Sequence, residues 1–517
     1  MATVLPPPNK RQRTEASERA RTQHTVTELP ADAGSIRIQF YDEVTGLPMG
    51  DAPVLVPLAE ATPKNLNLLL NALLGNDNSE YVPYRFTHLD SNLKSLRVST
   101  ASHNNTENIF PEPMSVSTEE IQNFAATPMS IFKVQPVSRC SAAITGHGEP
   151  ILTCQFSPRN SSRMVSGSGD STARIWDCDT GTPVHTLKHN SWVLAVSWSP
   201  DNSTIATGSM DNMVRAWQSD TGKLMGAPMK GHSKWVTSLA WEPYHVQKRG
   251  EPRLASASKD ATVRIWLTNQ QKIDMVLSGH KGSVTCVRWG GMGLIFTSSL
   301  DKTVKVWNSK DGTLAHTLSA HAHRVNHLAL STDFVLRTGY HDHSGKIPAS
   351  DDEKVAKAKE LFLKAATIQG EVVERLVSAS DDCTMYLWEP SKGTKPLARM
   401  LGHQKQVNHV TFSPNGLLIA SSSFDNSTKL WNARDGSFIN TLRGHVSPVY
   451  QCAFSADSTL LVTASKDTTL KCWDMRTHKL SSDLPGHKDE VYAVDWSPDG
   501  QKVGSGGKDK AVRIWRH

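Results

Sequence analysis

Apolar positions along the chain follow one regime up to about residue 136 and another after it. In IRIQFYD, Ile36, Ile38 and Phe40 alternate with polar residues, the period of a half-buried strand. A turn at Thr45-Gly46 leads to a second strand-like run, APVLVPL. TPKNLNLLLNALLG then carries Leu66, Leu69, Leu70 and Leu73 at helical spacing, with Thr62 as N-cap, Pro63 at the first helical position and Gly75 as C-cap. Further strands are expected at 84–88 and 130–134, and 102–116 reads as a long loop. This pattern over 35–136 predicts a small α+β domain of the ubiquitin-like, β-grasp type.

Beyond it, 139–517 is a repeat. A histidine opens each unit: His147, His189, His232, His280, His321, His403, His445 and His487. A tryptophan stands near each end, and successive tryptophans are 41, 49, 41, 81, 43, 42 and 42 residues apart. Six residues before each Trp is an Asp, and four before that a Ser or Thr. The first set is His147, Ser166, Asp170 and Trp176; the last is His487, Ser505, Asp509 and Trp515. A period near 40–45 with this punctuation predicts four-stranded propeller blades. The 81-residue interval holds one His and one Trp, so it is one long blade. The fold expected is mainly β: an eight-bladed propeller preceded by the small α+β domain.

The repeat resembles WD40 proteins, in which Trp, Ser/Thr, His and Asp form a buried hydrogen-bonded tetrad in each blade. Buried polar atoms without partners cost roughly 1–3 kcal/mol each, so such residues come as sets. Ser, His and Asp also compose a nucleophilic triad, but a constellation repeated in every blade reads as architecture. No room remains after Trp515 for a fourth strand, so the segment 139–145 is expected to complete the last blade and close the ring. Blade 5 carries an insertion, 339–374, whose DDEKVAKAKELFLKAATIQ predicts a helix with Val355, Ala358, Leu361, Leu363 and Ala365 on its apolar side. That side is expected to pack either on the propeller's flank, the favoured reading, or on a partner.

In WD40 proteins the loops after His and around Asp share one face, here termed the top. The third residue after each His includes Trp192, Trp235 and Arg324, and the residue before each Asp includes Lys259, Lys466 and Lys508. Aromatic and Arg anchors beside lysines suit a docking surface for protein and RNA phosphate.

Charge and cysteines narrow the class. The formal net charge of +6 over 517 residues permits acidic partners without requiring them. Seven cysteines without a CxxC pair signal neither a zinc site nor a disulfide framework. No apolar run approaches the ~18 residues of a membrane span, so a soluble intracellular protein is expected. Residues 1–34 read as a disordered basic tail, in which Lys10, Arg11 and Arg13 form either a nuclear localisation signal or a solvating cluster. His321, His323, His327, His341 and His343 are near in sequence, but strand pleating disperses them as metal ligands.

Several stretches sharpen the resemblance: IFKVQPVSRCSAAITGH at the junction, then HSKWVTSLAWEP, LALSTDFVLRTG, FSPNGLLIASSSFDNSTKLWNARDG and LPGHKDEVYAVDWSPDGQKV. They are similar to the Notchless family of large-subunit ribosome-assembly factors. The resemblance implies a non-enzymatic protein of the nucleus, nucleolus and nucleoplasm, a monomer within the pre-60S particle. Its propeller would touch rRNA, ribosomal proteins and assembly factors. Its ubiquitin-like domain would be gripped by midasin, an AAA ATPase, where one Glu completes the Mg²⁺ coordination of the partner's metal-ion-dependent adhesion site. The chain has no cofactor of its own in this reading. The family pattern places that carboxylate at Glu119, with Glu120 adjacent. The alternatives are a sister factor with seven blades, disfavoured by eight repeat sets, and a WD40 substrate receptor or signalling scaffold.

Overall fold

The computed structural model describes residues 35–42, 48–49, 52–57, 63–74, 84–89, 121–128, 134–248, 250–342, 347–368 and 370–517. The basic tail, the caps Thr62 and Gly75, the loop 102–116 and both candidate carboxylates, Glu119 and Glu120, lie outside these residues. The chain divides into two compact units, between residues 129 and 130.

In the first unit, β1 (Ser35–Asp42) pairs antiparallel with β2 (Val54–Pro57). Helix α1 (Pro63–Leu73) and strand β3 (Tyr84–Leu89) follow, and β4 (Ile121–Pro128) runs parallel to β1, giving the order β2-β1-β4-β3. Alternation works as expected: Ile36, Ile38 and Phe40 are buried against Leu66 and Leu70 of α1. The buried Asn67 amide fastens α1 to β3, with Nδ2 donating to the Tyr84 carbonyl at 2.9 Å and Oδ1 accepting from the Tyr84 amide. Two expectations fail. Leu73, the last residue of the helix, is 43% exposed although Leu70 and Asn71 in the same turn are buried. The last strand is Ile121–Pro128; of the predicted 130–134 only Val134 is described, and it is not in a strand.

The second unit holds eight four-stranded antiparallel sheets whose innermost strands adjoin one another in a closed ring. Position in the blade explains composition. Second strands such as Arg163–Ser168 are covered on both faces and read as apolar and small residues. Outer strands such as Thr182–Lys188 alternate polar residues and bury one, Leu187. Strand β5 (Arg139–Thr145) has that outer-strand pattern, with Ile144 as its buried residue. It pairs antiparallel with Ala511–Arg516, so the last blade is built from both ends of the propeller, with β5 as its outer strand. Val134 and Val137, just before β5, pack with Leu460 and Val503 of the last two blades.

The blade 5 insertion leaves the connection between the first two strands of its sheet, after Leu330 and before Leu376. It therefore lies on the face opposite the His and Asp loops. It contains α2 (Asp333–Thr338) and α3 (Asp351–Ala366), the latter opened by a Ser350–Glu353 capping box. The flank expectation is overturned: the insertion spreads across this bottom face. Tyr340 packs edge-on to Tyr244 of blade 3 with ring centroids 5.0 Å apart, and Phe362 stacks on His245 at 4.6 Å. Gly339 ends α2 at φ +62°, and a Cβ there would lie 2.8 Å from the Pro200 carbonyl of blade 2. Gly291 of blade 4 gives Phe362 its space, since a Cβ there would collide with the ring. The buried side of α3 is Ala358, Phe362 and Ala366; Leu363 is exposed, one residue off that stripe.

Candidate functional site: the top face and the tetrads beneath it

The tetrads form as the spacing requires in seven blades. In blade 1, His147 Nδ1–H donates to Asp170 Oδ2 at 2.8 Å, Ser166 Oγ donates to His147 Nε2 at 2.8 Å, and Trp176 Nε1 donates to the same Oγ at 2.7 Å. In blade 8 the distances for His487, Asp509, Ser505 and Trp515 are 2.9, 2.8 and 2.8 Å. The histidine tautomer follows from these partners. Ser166 and Ser505 have 0% exposure, so neither hydroxyl can meet a substrate. The carboxylate also organises the loop: Asp170 accepts from the Gly148 amide and from both the amide and hydroxyl of Thr172. Burial opposes ionisation of Asp170, but these donors outweigh it and hold the carboxyl down at about 2. The residue after each tetrad Asp takes the left-handed conformation, from Ser171 at φ +63° to Lys510 at φ +64°.

Blade 2 departs from the repeat. Its sequence has every tetrad residue, yet Arg215 Nη1 stands between His189 Nδ1 at 2.9 Å and Asp211 Oδ2 at 2.8 Å. His189 Nε2 has no hydrogen-bond partner, while Trp217 still donates to Thr207 at 2.8 Å. Met213 occupies the place where Thr172 anchors its Asp in blade 1, leaving Asp211 only an amide there, Met213 N at 3.0 Å. Burial, together with the Arg215 guanidinium, lowers the His189 pKa to about 3. Counting residues could not show this substitution of arginine for the histidine–aspartate bond.

Above the tetrads, Trp192 and Trp235 are 47% and 39% exposed. The Trp192 indole lies 3.5 Å from where a Cβ on Gly169 of blade 1 would sit. Lys259 Nζ stands 3.9 Å over the Trp235 ring, a cation–π contact. Arg324 is exposed, without an ion pair among the described residues. Lys466 and Lys508 differ: Glu490 lies 3.6 and 3.9 Å from their ammonium groups, and Asp489 is 3.4 Å from Lys508. The six residues share one face, but two of the lysines are already partnered by acids. Among the described residues no three His, Cys, Asp or Glu side chains group as a metal site.

A closed ring of tetrad-bearing blades, with the His and Asp loops exposed on one face, defines a WD40-repeat propeller. Comparison with known proteins agrees. The family "WD domain, G-beta repeat" matches 138–177, 181–218, 223–266, 271–308, 394–432, 436–474 and 478–516, passing over blade 5, and "NLE (NUC135) domain" matches 36–96. Ribosome assembly protein 4 of Chaetomium thermophilum is 58% identical over 85% of each chain, and its namesake in Saccharomyces cerevisiae 52% over 85% of each. Protein Notchless of Drosophila melanogaster is 43% identical over 77% of this chain and 79% of its own. The crystal structure of the computationally designed Ika8 protein aligns with TM-score 0.57 at 24% identity, over 74% of this chain and all of that one, a likeness of fold. The chain belongs to the Notchless and ribosome assembly protein 4 family of WD40-repeat proteins.

Proposed function

We propose that the protein is a non-enzymatic assembly factor of the large ribosomal subunit, acting in the nucleolus and nucleoplasm as a physical link. The propeller docks on the pre-60S particle, and the N-terminal domain is held by a midasin-type AAA ATPase. The observation that carries this is 58% identity, over 85% of both chains, to a protein named for ribosome assembly. The architecture supports it in two ways. The β2-β1-β4-β3 order, with a parallel central pair and one packed helix, suits a ubiquitin-like domain. The repeated Ser, His and Asp are committed to internal hydrogen bonds, which leaves the exposed loops to recognise partners.

The link itself is assigned to Glu119. A carboxylate oxygen suits Mg²⁺, a hard cation, and the metal belongs to the partner. The immobilised metal-site domain of midasin should retain the protein, and large-subunit precursors through it, in Mg²⁺ but not in EDTA. Glu119→Asp, one methylene shorter, should lose that retention with the fold intact. Equal retention of the variant removes Glu119 from the role and leaves Glu120 as the adjacent carboxylate.

A further inference from the structure

The top face has two electrostatic halves. On blades 7, 8 and 1 three loop lysines have acidic neighbours, Lys466 with Glu490, Lys508 with Asp489 and Lys510 with Glu149 at 3.6 Å, while Lys488 beside them has no ion pair among the described residues. On blades 3 to 6 the loops present Lys234, Lys259, Lys281, Lys302, Arg324 and Lys405, all exposed and none with an ion-pair partner among the described residues. The acid at the loop positions of this arc is Asp381, which accepts from Asn326 Nδ2 at 2.7 Å and lies 3.5 Å from His323. The tetrad aspartates below are taken up by histidine, hydroxyl and backbone donors, as with Asp260 and Asp301. Like charges gathered on neighbouring loops oppose the compact state, so folding does not account for the arc. At its blade 3 end stand Trp235 and, on the next blade, Trp192, both partly exposed, with Lys259 over one face of the Trp235 ring.

We propose that this arc is a binding site for single-stranded RNA. Successive phosphates lie along the six cations, and unpaired bases stack on Trp192 and Trp235. An acidic protein segment would satisfy the cations but gives flat, exposed indoles nothing to stack on. A duplex keeps its base faces inside. A single strand offers a regular line of charge and free π-faces together. The inference deepens the assembly-factor reading and rests on it for the source of the RNA, an unpaired segment of a ribosomal precursor.

The test uses the full-length protein and a fluorescein-labelled twelve-nucleotide oligouridylate, with anisotropy followed across a KCl series. Each phosphate contact on a single strand contributes about 0.7 to the salt slope. Six contacts predict a log K against log[KCl] slope of about −4. Lys281→Ala with Lys302→Ala should bring the slope to about −3. Lys310→Ala, on a strand connection of the opposite face, should leave it unchanged. Trp192→Ala with Trp235→Ala should weaken binding at least about tenfold at constant slope, because stacking carries no counterion release. Lys281→Gln with Lys302→Gln is a second charge-removing pair should the alanine pair not fold. A slope unmoved by the lysine pairs overturns the site, as does equal competition by oligoglutamate of the same charge, which would make the occupant an acidic protein. The assay contains no ribosomal particle, so its failure removes the arc alone, whereas absence from large-subunit precursors removes the assembly reading.

Discussion

Arg337, on the helix that blade 5 inserts, donates through Nη1 to Asp495 of blade 8 at 2.7 Å, and its Nη2 reaches the Trp496 carbonyl at 3.3 Å. Asp495 also accepts the Phe156 amide of blade 1 at 2.7 Å, so one carboxylate joins the insertion to both sides of the seam where the ring closes. Closure thus rests on two devices, the exchanged strand β5 and this bond across the bottom face. Hydrogen bonds to charged groups are worth about 1.5–3 kcal/mol, and both side chains are largely buried. Arg337→Met should lower unfolding free energy by about 2 kcal/mol, measured by urea unfolding monitored by tryptophan fluorescence. Arg337→Met on an Asp495→Asn background should cost less, since the bond is then already weakened.

Strand exchange makes a coarser prediction. Removing residues 508–517 takes away Asp509, Trp515 and the partner of β5, so soluble expression should be abolished. A soluble truncation with native circular dichroism contradicts the closure.

Blade 2 permits a like-for-like comparison of two threonines, each fully buried. Thr463 serves both His445 at 2.8 Å and Trp473 at 3.0 Å; Thr207 serves Trp217 but not His189. Thr463→Val strands two buried partners and Thr207→Val strands one. The first should therefore cost about 1–3 kcal/mol more than the second, again by urea unfolding. Equal costs would mean that the histidine bond adds nothing to the tetrad.

His189 also predicts a pH dependence. Its folded pKa of about 3 lies below the ordinary 6.5, so between those values the unfolded chain binds more protons. Its stabilising contribution is complete above pH 6.5 and is lost as pH falls toward 3. His189→Gln should flatten the fall in melting temperature over that window, and it should leave untouched the further loss below pH 4, where Asp170 and its counterparts take up protons.

Much of this was legible in the sequence, for a physical reason. A buried tetrad fixes residue type and offset together, so the interval from Ser166 to Trp176 announces a blade as surely as coordinates do. The unfinished last repeat likewise pointed to the strand at Arg139–Thr145. The misses have their own causes. Arg215 entered the blade 2 network from a position that holds a basic residue in most blades, and only packing reveals which neighbour it joins. The insertion's resting place depends on contacts far apart in sequence: Gly291 leaves room for the Phe362 ring, and Gly339, without a Cβ, closes on the Pro200 carbonyl. Lys466 and Lys508 are equivalent to Lys259 in sequence position, but only they have Glu490 beside them, on the following blade for Lys466 and on the same blade for Lys508.

A propeller that serves as a docking scaffold in large-subunit assembly must travel with the particle, which one sedimentation experiment can show. Tagged protein from its own cells, run on a sucrose gradient and analysed by mass spectrometry, should peak with large-subunit precursors and co-purify with their ribosomal proteins and midasin. Trp192→Ala with Trp235→Ala should shift it toward the free fractions while its melting temperature is kept. Wild-type protein confined to the top of the gradient, or travelling with a cullin ligase instead of ribosomal proteins, would contradict that role.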